Sequence, residues 1–285
     1  FIYKMLRKKN ITLNRKKAQG NEKLNAGDTV VFFFSEETLQ KFCGDSPENK
    51  GKCQADFPII YEDDQILLIN KPAGLLSQKA KPQDVSLVEL VQQYVKGEPG
   101  FSPGICNRLD RNTSGIVVAG KTLAALQKMS ELFRTREVEK YYLAIVKGRM
   151  TEKKEVEGYL LKDEKKNKVT VSREEKKGSS YIKTGYEPLV STKEMTLLRV
   201  HLMTGKPHQI RSHLSSLGHP VAGDAKYGGA HPGIRWQLLH AYELQFPGLE
   251  APFERISGKT FCAPVPECFY GKNIPAEIIE KLKQY

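Results

Sequence analysis

The segment Asn107-Arg108-Leu109-Asp110-Arg111-Asn112-Thr113-Ser114-Gly115 sets one carboxylate between two arginines, in a polar stretch bounded by apolar residues. A carboxylate on a loop can act as a nucleophile when cations keep it ionised, and Arg108 and Arg111 are the cations that sequence places beside Asp110. Such a group needs neither metal nor cofactor. The same pattern also describes a surface loop with local ion pairs. A second cluster runs from Leu198 to Leu214. Leu198–Met203 reads as a strand, Thr204-Gly205-Lys206-Pro207 as a turn, and the residues from His208 as a helix start. Backbone N–H groups at that start, with His208, Gln209 and Arg211, make a set of donors suited to an anion. An ordinary strand–turn–helix with exposed cations would look alike, so it is the joint occurrence of the two clusters that points to chemistry.

Other chemistries find little support. All six histidines fall between His201 and His240, yet no HExxH is present. On a helix His208 and His213 would stand about 140° apart. Core, capping or RNA-contacting roles therefore outweigh a metal site. Cys43, Cys53, Cys106, Cys262 and Cys268 have no zinc-ribbon spacing, and an odd count without a dense framework reads as reduced thiols in a cytoplasm-like compartment. Neither GxGxxG nor GxxxxGK[ST] occurs, which leaves a dinucleotide site or an NTP-hydrolysing loop unsupported.

These residues must be positioned by regular elements. Residues 1–9 read as a short helix, Ile11–Asn14 and Thr29–Phe34 as strands, and residues 35–56 as a linker. The strand Ile66–Asn70 breaks at Lys71-Pro72-Ala73-Gly74. A helix fits residues 86–95. Ile116–Ala119 is a strand, and Thr122 caps a helix with Leu123, Leu126, Met129, Leu132 and Phe133 inward. The strand Lys140–Lys147 follows, then alternating segments over 151–200, with the charged stretch 162–178 as a solvated hairpin tip. A helix from His208 to Leu217 closes at Gly218. Strands outnumber helices without alternating with them, which favours an α+β fold with a largely antiparallel sheet.

The chain has 285 residues and a formal net charge of +12. Its apolar runs, such as Val30–Phe34, are far short of the ~20 residues that span a bilayer. The charge excess suits a polyanion, whether RNA, DNA or an anionic membrane surface. Residues 1–17 concentrate it: Lys4, Arg7, Lys8, Lys9, Arg15, Lys16 and Lys17 stand there without one acidic residue. The chain starts at Phe1 and reads as a fragment lacking its first residues.

Four pieces, in order and spacing, resemble the pseudouridine synthases of the RluA/RluC family: Tyr61–Gly74, the Arg108–Gly115 loop, Lys140–Gly148 and Thr204–Gly229. The resemblance covers about residues 57–285. It implies an α+β pseudouridine synthase fold, a mixed, mostly antiparallel central sheet with flanking helices, over 57–285. Residues 1–36 are similar to part of a small S-four-like RNA-binding domain, with 37–56 as linker. The resemblance implies isomerisation of uridine in RNA by a base-flipping enzyme without cofactor or metal. Large-subunit ribosomal RNA is the expected partner of a cytoplasmic monomer. Asp110 matches the catalytic aspartate, and its step, attack on carbon 1′ or assistance of an elimination, stays open. Tyr142 matches a tyrosine that packs on the target base and is proposed to move a proton. Arg211 matches the arginine paired with the carboxylate, and Arg108 the one that fills the space of the flipped base. Lys71, Thr113, His208 and Gln209 lie in the same motifs and are expected to bind substrate, with Lys8, Lys9, Lys16 and Lys17 on the RNA backbone. Asn107 stands where many relatives have His, and Lys206 where Arg is common. A transfer-RNA synthase, a non-catalytic RNA-binding module and a methyltransferase without a glycine-rich cofactor loop are the rivals.

Overall fold

A computed structural model of the chain describes residues 2–35, 57–95, 101–163 and 168–285. The expected linker lies outside the described residues. The chain divides into two compact units, Phe1–Lys52 and Cys53–Tyr285.

In the first unit, helix α1 (Ile2–Arg7) precedes strands β1 (Ile11–Leu13), β2 (Lys16–Lys17) and β3 (Val30–Phe32), ordered β2-β1-β3 and antiparallel. The β1–β2 turn puts Asn14 and Arg15 in the left-handed region, at φ 49° and 62°, as a tight hairpin requires. Leu6, Ile11 and Ala18 form its small core. The last strand is shorter than its sequence suggests, because Phe32 and Phe33 are exposed and Val30–Phe32 alone pairs with β1.

The second unit is built on one large sheet. Among the described residues its strand order is β10-β9-β11-β12-β8-β13-β7-β5-β4, comprising β4 (Ile59–Glu62), β5 (Ile66–Lys71), β7 (Ser114–Gly120), β8 (Glu139–Lys147), β9 (Lys154–Asp163), β10 (Lys168–Ser172), β11 (Ser180–Ser191), β12 (Met195–Leu202) and β13 (Leu239–Gln245). Short strands β6 (Gly104–Ile105) and β14 (Thr260–Cys262) add to β7 and β13. Every pairing is antiparallel except β13 with β7. The sheet is the expected mixed, mostly antiparallel one, and the fold class is α+β. Alternation along each strand buries both faces. Leu198, Val200 and Ala144 enter one core, whereas Leu197, Leu143 and Ile145 enter the other.

Helices α2 (Leu87–Tyr94), α3 (Leu123–Thr135), α4 (Gln209–Ser216) and α5 (Ala276–Leu282) flank the sheet. The Thr122 side chain accepts from the Ala125 N–H as the N-cap of α3. Ala125, Met129 and Leu132 face inward, but Leu123 is 51 % exposed, since at about 100° per residue it falls on the side of α3 opposite Ala125 and Leu132. The stretch 162–178 is not a single solvated tip. It contains β10, whose Val169 is buried with Tyr227 among its lysines. No helix among the described residues is long and apolar enough to cross a membrane.

Candidate active site

The loop ahead of β7 carries Asp110, and three devices fix it. Asn107 Oδ1 accepts from the Val118 N–H and its Nδ2 donates to the Ile116 carbonyl, so the side chain stands in for a strand neighbour. Ser77 Oγ exchanges hydrogen bonds with both backbone groups of Leu109. The Thr113 N–H closes a turn on the Asp110 carbonyl. Behind the turn, β7 starts against β13 at a glycine. Gly115 has φ +113°, and a Cβ there would meet the Ala241 carbonyl oxygen at 2.2 Å, so no other residue fits without moving β13.

Lys71, at the end of β5, has no exposed surface. Its ammonium donates to the carbonyls of Pro72, Leu75 and Arg111 at 2.9–3.1 Å. Burial pushes this amine down to about 7, against the pull of the Asp110 charge. The expected substrate contact by Lys71 is therefore corrected. It ties the Asp110 loop to β5 from inside and has no face left for RNA. Thr113 and Gln209, in contrast, line the cleft with Asp110 while bonding to the scaffold behind it. Each is 2 % exposed, Thr113 accepting from Gln237 Nε2 and Gln209 spanning Thr204, Thr184 and the Lys183 carbonyl.

Arg211 comes from the first turn of α4. Its Nη1 donates to Asp110 Oδ2 at 2.7 Å, while Nε and Nη2 grip Asp224 at 2.6 and 2.9 Å. Asp224 is 1 % exposed and also accepts from the Lys226 and Tyr227 N–H groups. Burial works against the Arg211 charge, but the Asp224 hydrogen bonds and the charges of Asp110 and Asp224 outweigh it and raise the guanidinium above its ordinary range. The flanking arginines, expected to hold Asp110, do not. Arg108 donates to Gln78 Oε1 and Arg111 to the Gly74 carbonyl, because the turn at Asp110 splays neighbouring side chains apart.

The second oxygen, Asp110 Oδ1, lies 3.9 Å from His208 Nε2, beyond hydrogen-bond length. His208 precedes α4 with φ 55°, and its side chain makes no cap bond. Its Nδ1 meets the Tyr227 hydroxyl at 2.8 Å, and that oxygen accepts from the Val169 N–H at 3.1 Å. In the tautomer whose Nδ1 accepts from the Tyr227 hydroxyl, Nε2 carries the hydrogen, on the side of Asp110. Burial lowers the His208 pKa and the Arg211 and Lys226 cations add to that, against the Asp110 charge. The imidazole is thus a neutral donor at neutral pH. Tyr142, on β8, is 8 % exposed, and burial, with the Asp110 charge, raises its hydroxyl well above the phenol range. A phenol so placed enters as a neutral O–H.

Asp110, Tyr142, His208, Arg211 and Arg108 line one cleft of about 770 Å³. Leu109, Leu202, Ile210 and Leu239 give it apolar walls. The cleft is thus a slot with apolar sides and one carboxylate oxygen presented to it. Lys8, Lys9, Lys16 and Lys17 are exposed on the first unit. No group of three or more potential metal ligands occurs among the described residues.

Residues 65–216 match the family described as RNA pseudouridylate synthase. The chain belongs to that family. A ribosomal large subunit pseudouridine synthase C of Vibrio vulnificus is 33% identical over 266 residues, 89% of this chain and 82% of the relative. An uncharacterized RNA pseudouridine synthase of Mycoplasma pneumoniae is 31% identical over 265 residues, 87% of this chain and 80% of the relative. Human RNA pseudouridylate synthase domain containing 4 superposes with a TM-score of 0.63 at 23% identity, over 79% of this chain and 92% of that one, a likeness of fold. The protein is accordingly an RNA pseudouridine synthase, an isomerase. Sequence reasoning brought Asp110, Tyr142 and Arg211 of this synthase together and missed Asp224 and Tyr227. Both stand in the Gly223–Gly229 turn, where Gly-Asp reads as turn chemistry. The one available signal was that this turn continues the motif carrying Arg211.

Proposed function

We propose that this synthase converts uridine in large-subunit ribosomal RNA to pseudouridine, with Asp110 as the reacting carboxylate and no cofactor. The observation that carries the reading is the split use of Asp110: Oδ2 is tied to Arg211 and Oδ1 is left facing the apolar slot. The reaction breaks the bond from ring nitrogen 1 to carbon 1′, makes one from carbon 5 to carbon 1′, and moves a proton from carbon 5 to nitrogen 1. Atoms and electrons balance within the nucleotide, so no co-substrate is consumed. Extrusion of the base costs a few kcal/mol, least where the RNA is already unpaired. Arg108, exposed at the lip, is placed to fill the vacated stack. Tyr142 walls the base, and its neutral hydroxyl donates rather than accepts a proton at the outset. Relatives named as large-subunit synthases support ribosomal RNA as the substrate class. The first unit, with its exposed lysines, serves as an RNA-binding domain, and the second as the catalytic unit, of a cytoplasmic monomer.

Asp110→Asn keeps the size of the side chain and one acceptor oxygen and removes its charge. Assayed on a large-subunit ribosomal RNA fragment that the wild type converts, Asp110→Asn and Asp110→Ala lose at least about 10³-fold in pseudouridine formation while still binding the RNA. Wild-type turnover in either would overturn the assignment.

A further inference from the structure

The cleft is longer than a uridine slot needs. Beyond Asn107 it passes Cys106 and runs along the C-terminal turn of α3, over Phe133, Arg136 and Lys140. Nothing in the chemistry at Asp110 uses this arm.

Three observations show that it is built to hold something. The first is strain. In the second unit, only Arg136 and His208 among the described non-glycine residues have positive φ, and both line this cleft. Arg136 ends α3 at φ 67° and ψ 28°, with its N–H on the Leu132 carbonyl. That helix-ending position favours glycine, and a residue with a Cβ costs about 1 kcal/mol there. The chain keeps an arginine where glycine would relax the backbone, as happens where a side chain has work to do.

The second observation is charge without a counter-charge. Neither Arg136 nor Lys140 has a carboxylate within ion-pair distance among the described residues. Among the described residues the Lys140 ammonium donates only to the Val138 carbonyl, at 2.9 Å. Burial lowers its pKa, Glu139 opposes that, and the Arg136 charge lowers it further; both side chains line the arm. A bare helix C-terminus repels anions, and these cations reverse the sign over it. The third is an apolar wall. Phe133 and Cys106 are half-buried, packed on the core that holds Val118 and Met129. The Cys106 thiol, pushed up to about 12 by burial, is inert there.

Two unpaired cations beside an aromatic wall fit a phosphodiester with its base. We propose that this arm binds the nucleotide next to the target uridine, its phosphate between Arg136 and Lys140 and its base against Phe133. The inference rests on the reading of Asp110 as the reacting group with uridine in the slot. It makes the flanking nucleotide, and not the uridine alone, a determinant of which site is modified.

Arg136→Gly tests it with the fold protected, because glycine suits that φ and should leave the melting temperature unchanged or higher. The probe is an RNA oligonucleotide that the wild type converts, prepared also with single neutral methylphosphonate linkages on either side of the uridine. For the wild type, neutralising one flanking linkage raises KM about tenfold. Arg136→Gly combined with Lys140→Gln raises KM similarly on the unmodified RNA, and the neutral linkage then adds nothing, as a double-mutant cycle requires. Phe133→Ala weakens binding of normal RNA but not of RNA abasic at the neighbouring position. An equal methylphosphonate effect in wild type and double variant, or a wild-type KM in Arg136→Gly, would overturn the arm. Failure of the Asp110 reading shows separately: Asp110→Asn would then turn over, and its binding of the same RNAs, followed by fluorescence anisotropy, still reads the arm.

Discussion

Arg211 can serve Asp110 because a second carboxylate holds it. Two of its nitrogens are spent on Asp224, so the third is aimed at Asp110 Oδ2 with no freedom to swing away. Asp224 is in turn fixed by backbone N–H groups of its own turn, and a Cβ at Gly229 would strike the Val221 carbonyl oxygen at 1.8 Å, so the turn has one shape. Asp224→Asn keeps the turn but loses the bidentate charged grip. Its expected outcome is a 10–100-fold fall in kcat with smaller change in RNA affinity, and a loss of about 3 kcal/mol in urea unfolding from the half-orphaned guanidinium. A variant turning over at the wild-type rate would show that Arg211 holds its aim without Asp224. At this scale the sequence showed Asp110 and Arg211 but not their partners. Arg108 and Arg111 are neighbours along the chain, which says little about where their guanidinium groups reach. Lys71 carries a polar label that suggests substrate contact, and only burial shows that it bonds to the scaffold instead.

The elements that aim these residues meet at β7 and β13, and that junction carries a titratable group. His240 of β13 is fully buried. Its Nδ1 lies 2.9 Å from the Ser114 hydroxyl of β7, and Nε2 3.3 Å from the Ala263 carbonyl. A neutral ring accepts the first bond and donates the second; an added proton on Nδ1 would reverse the first, with the Ser114 hydroxyl turned to accept, and put a charge on a buried ring. Burial lowers its pKa to about 4, and His213, inside α4, is lowered to about 4 for the same reason. A histidine whose folded pKa lies below its unfolded value near 6.5 stabilises the fold above that value, and the contribution is lost as pH falls toward 4. Unfolding free energy from urea titrations is therefore expected to drop by on the order of 3 kcal/mol per histidine between about pH 6.5 and pH 4. His240→Gln should flatten that slope, and a wild type as stable at about pH 4.5 as at pH 7 would sink the account. The helices over 87–94, 123–135 and 209–216 were legible from caps and periodicity, as were β5, β8 and β12. The parallel pairing of β13 with β7 was not, since alternation says which face a residue takes and nothing about which strand lies beside it. The alternation of Val169-Thr170-Val171 marked strand β10, but not that its backbone N–H orders Tyr227 and, through it, His208.

Across the whole chain, the +12 charge is unevenly compensated. The second unit pairs many of its cations, as Lys121 with Glu62 and Arg199 with Glu243 do. In the first unit Lys8, Lys9, Lys16 and Lys17 are exposed and form no ion pair among the described residues. Its core is only Leu6, Ile11 and Ala18 with a few half-buried neighbours, too little apolar burial to be the reason such a charged segment is kept. Surface cations at this density raise RNA affinity through counterion release, which leaves a signature in salt dependence. Converting the four lysines to Gln in the full chain should lower the slope of log affinity against log salt by about 3 on a ribosomal RNA fragment, at about 0.7–0.9 for each phosphate no longer neutralised. The lysines carry no part of the Asp110 cleft, so kcat at saturating RNA separates tethering from chemistry: it should hold while KM climbs steeply with salt. An unchanged slope would mean that the phosphates are held by the cleft cations alone, and the first unit would then need another explanation for its charge.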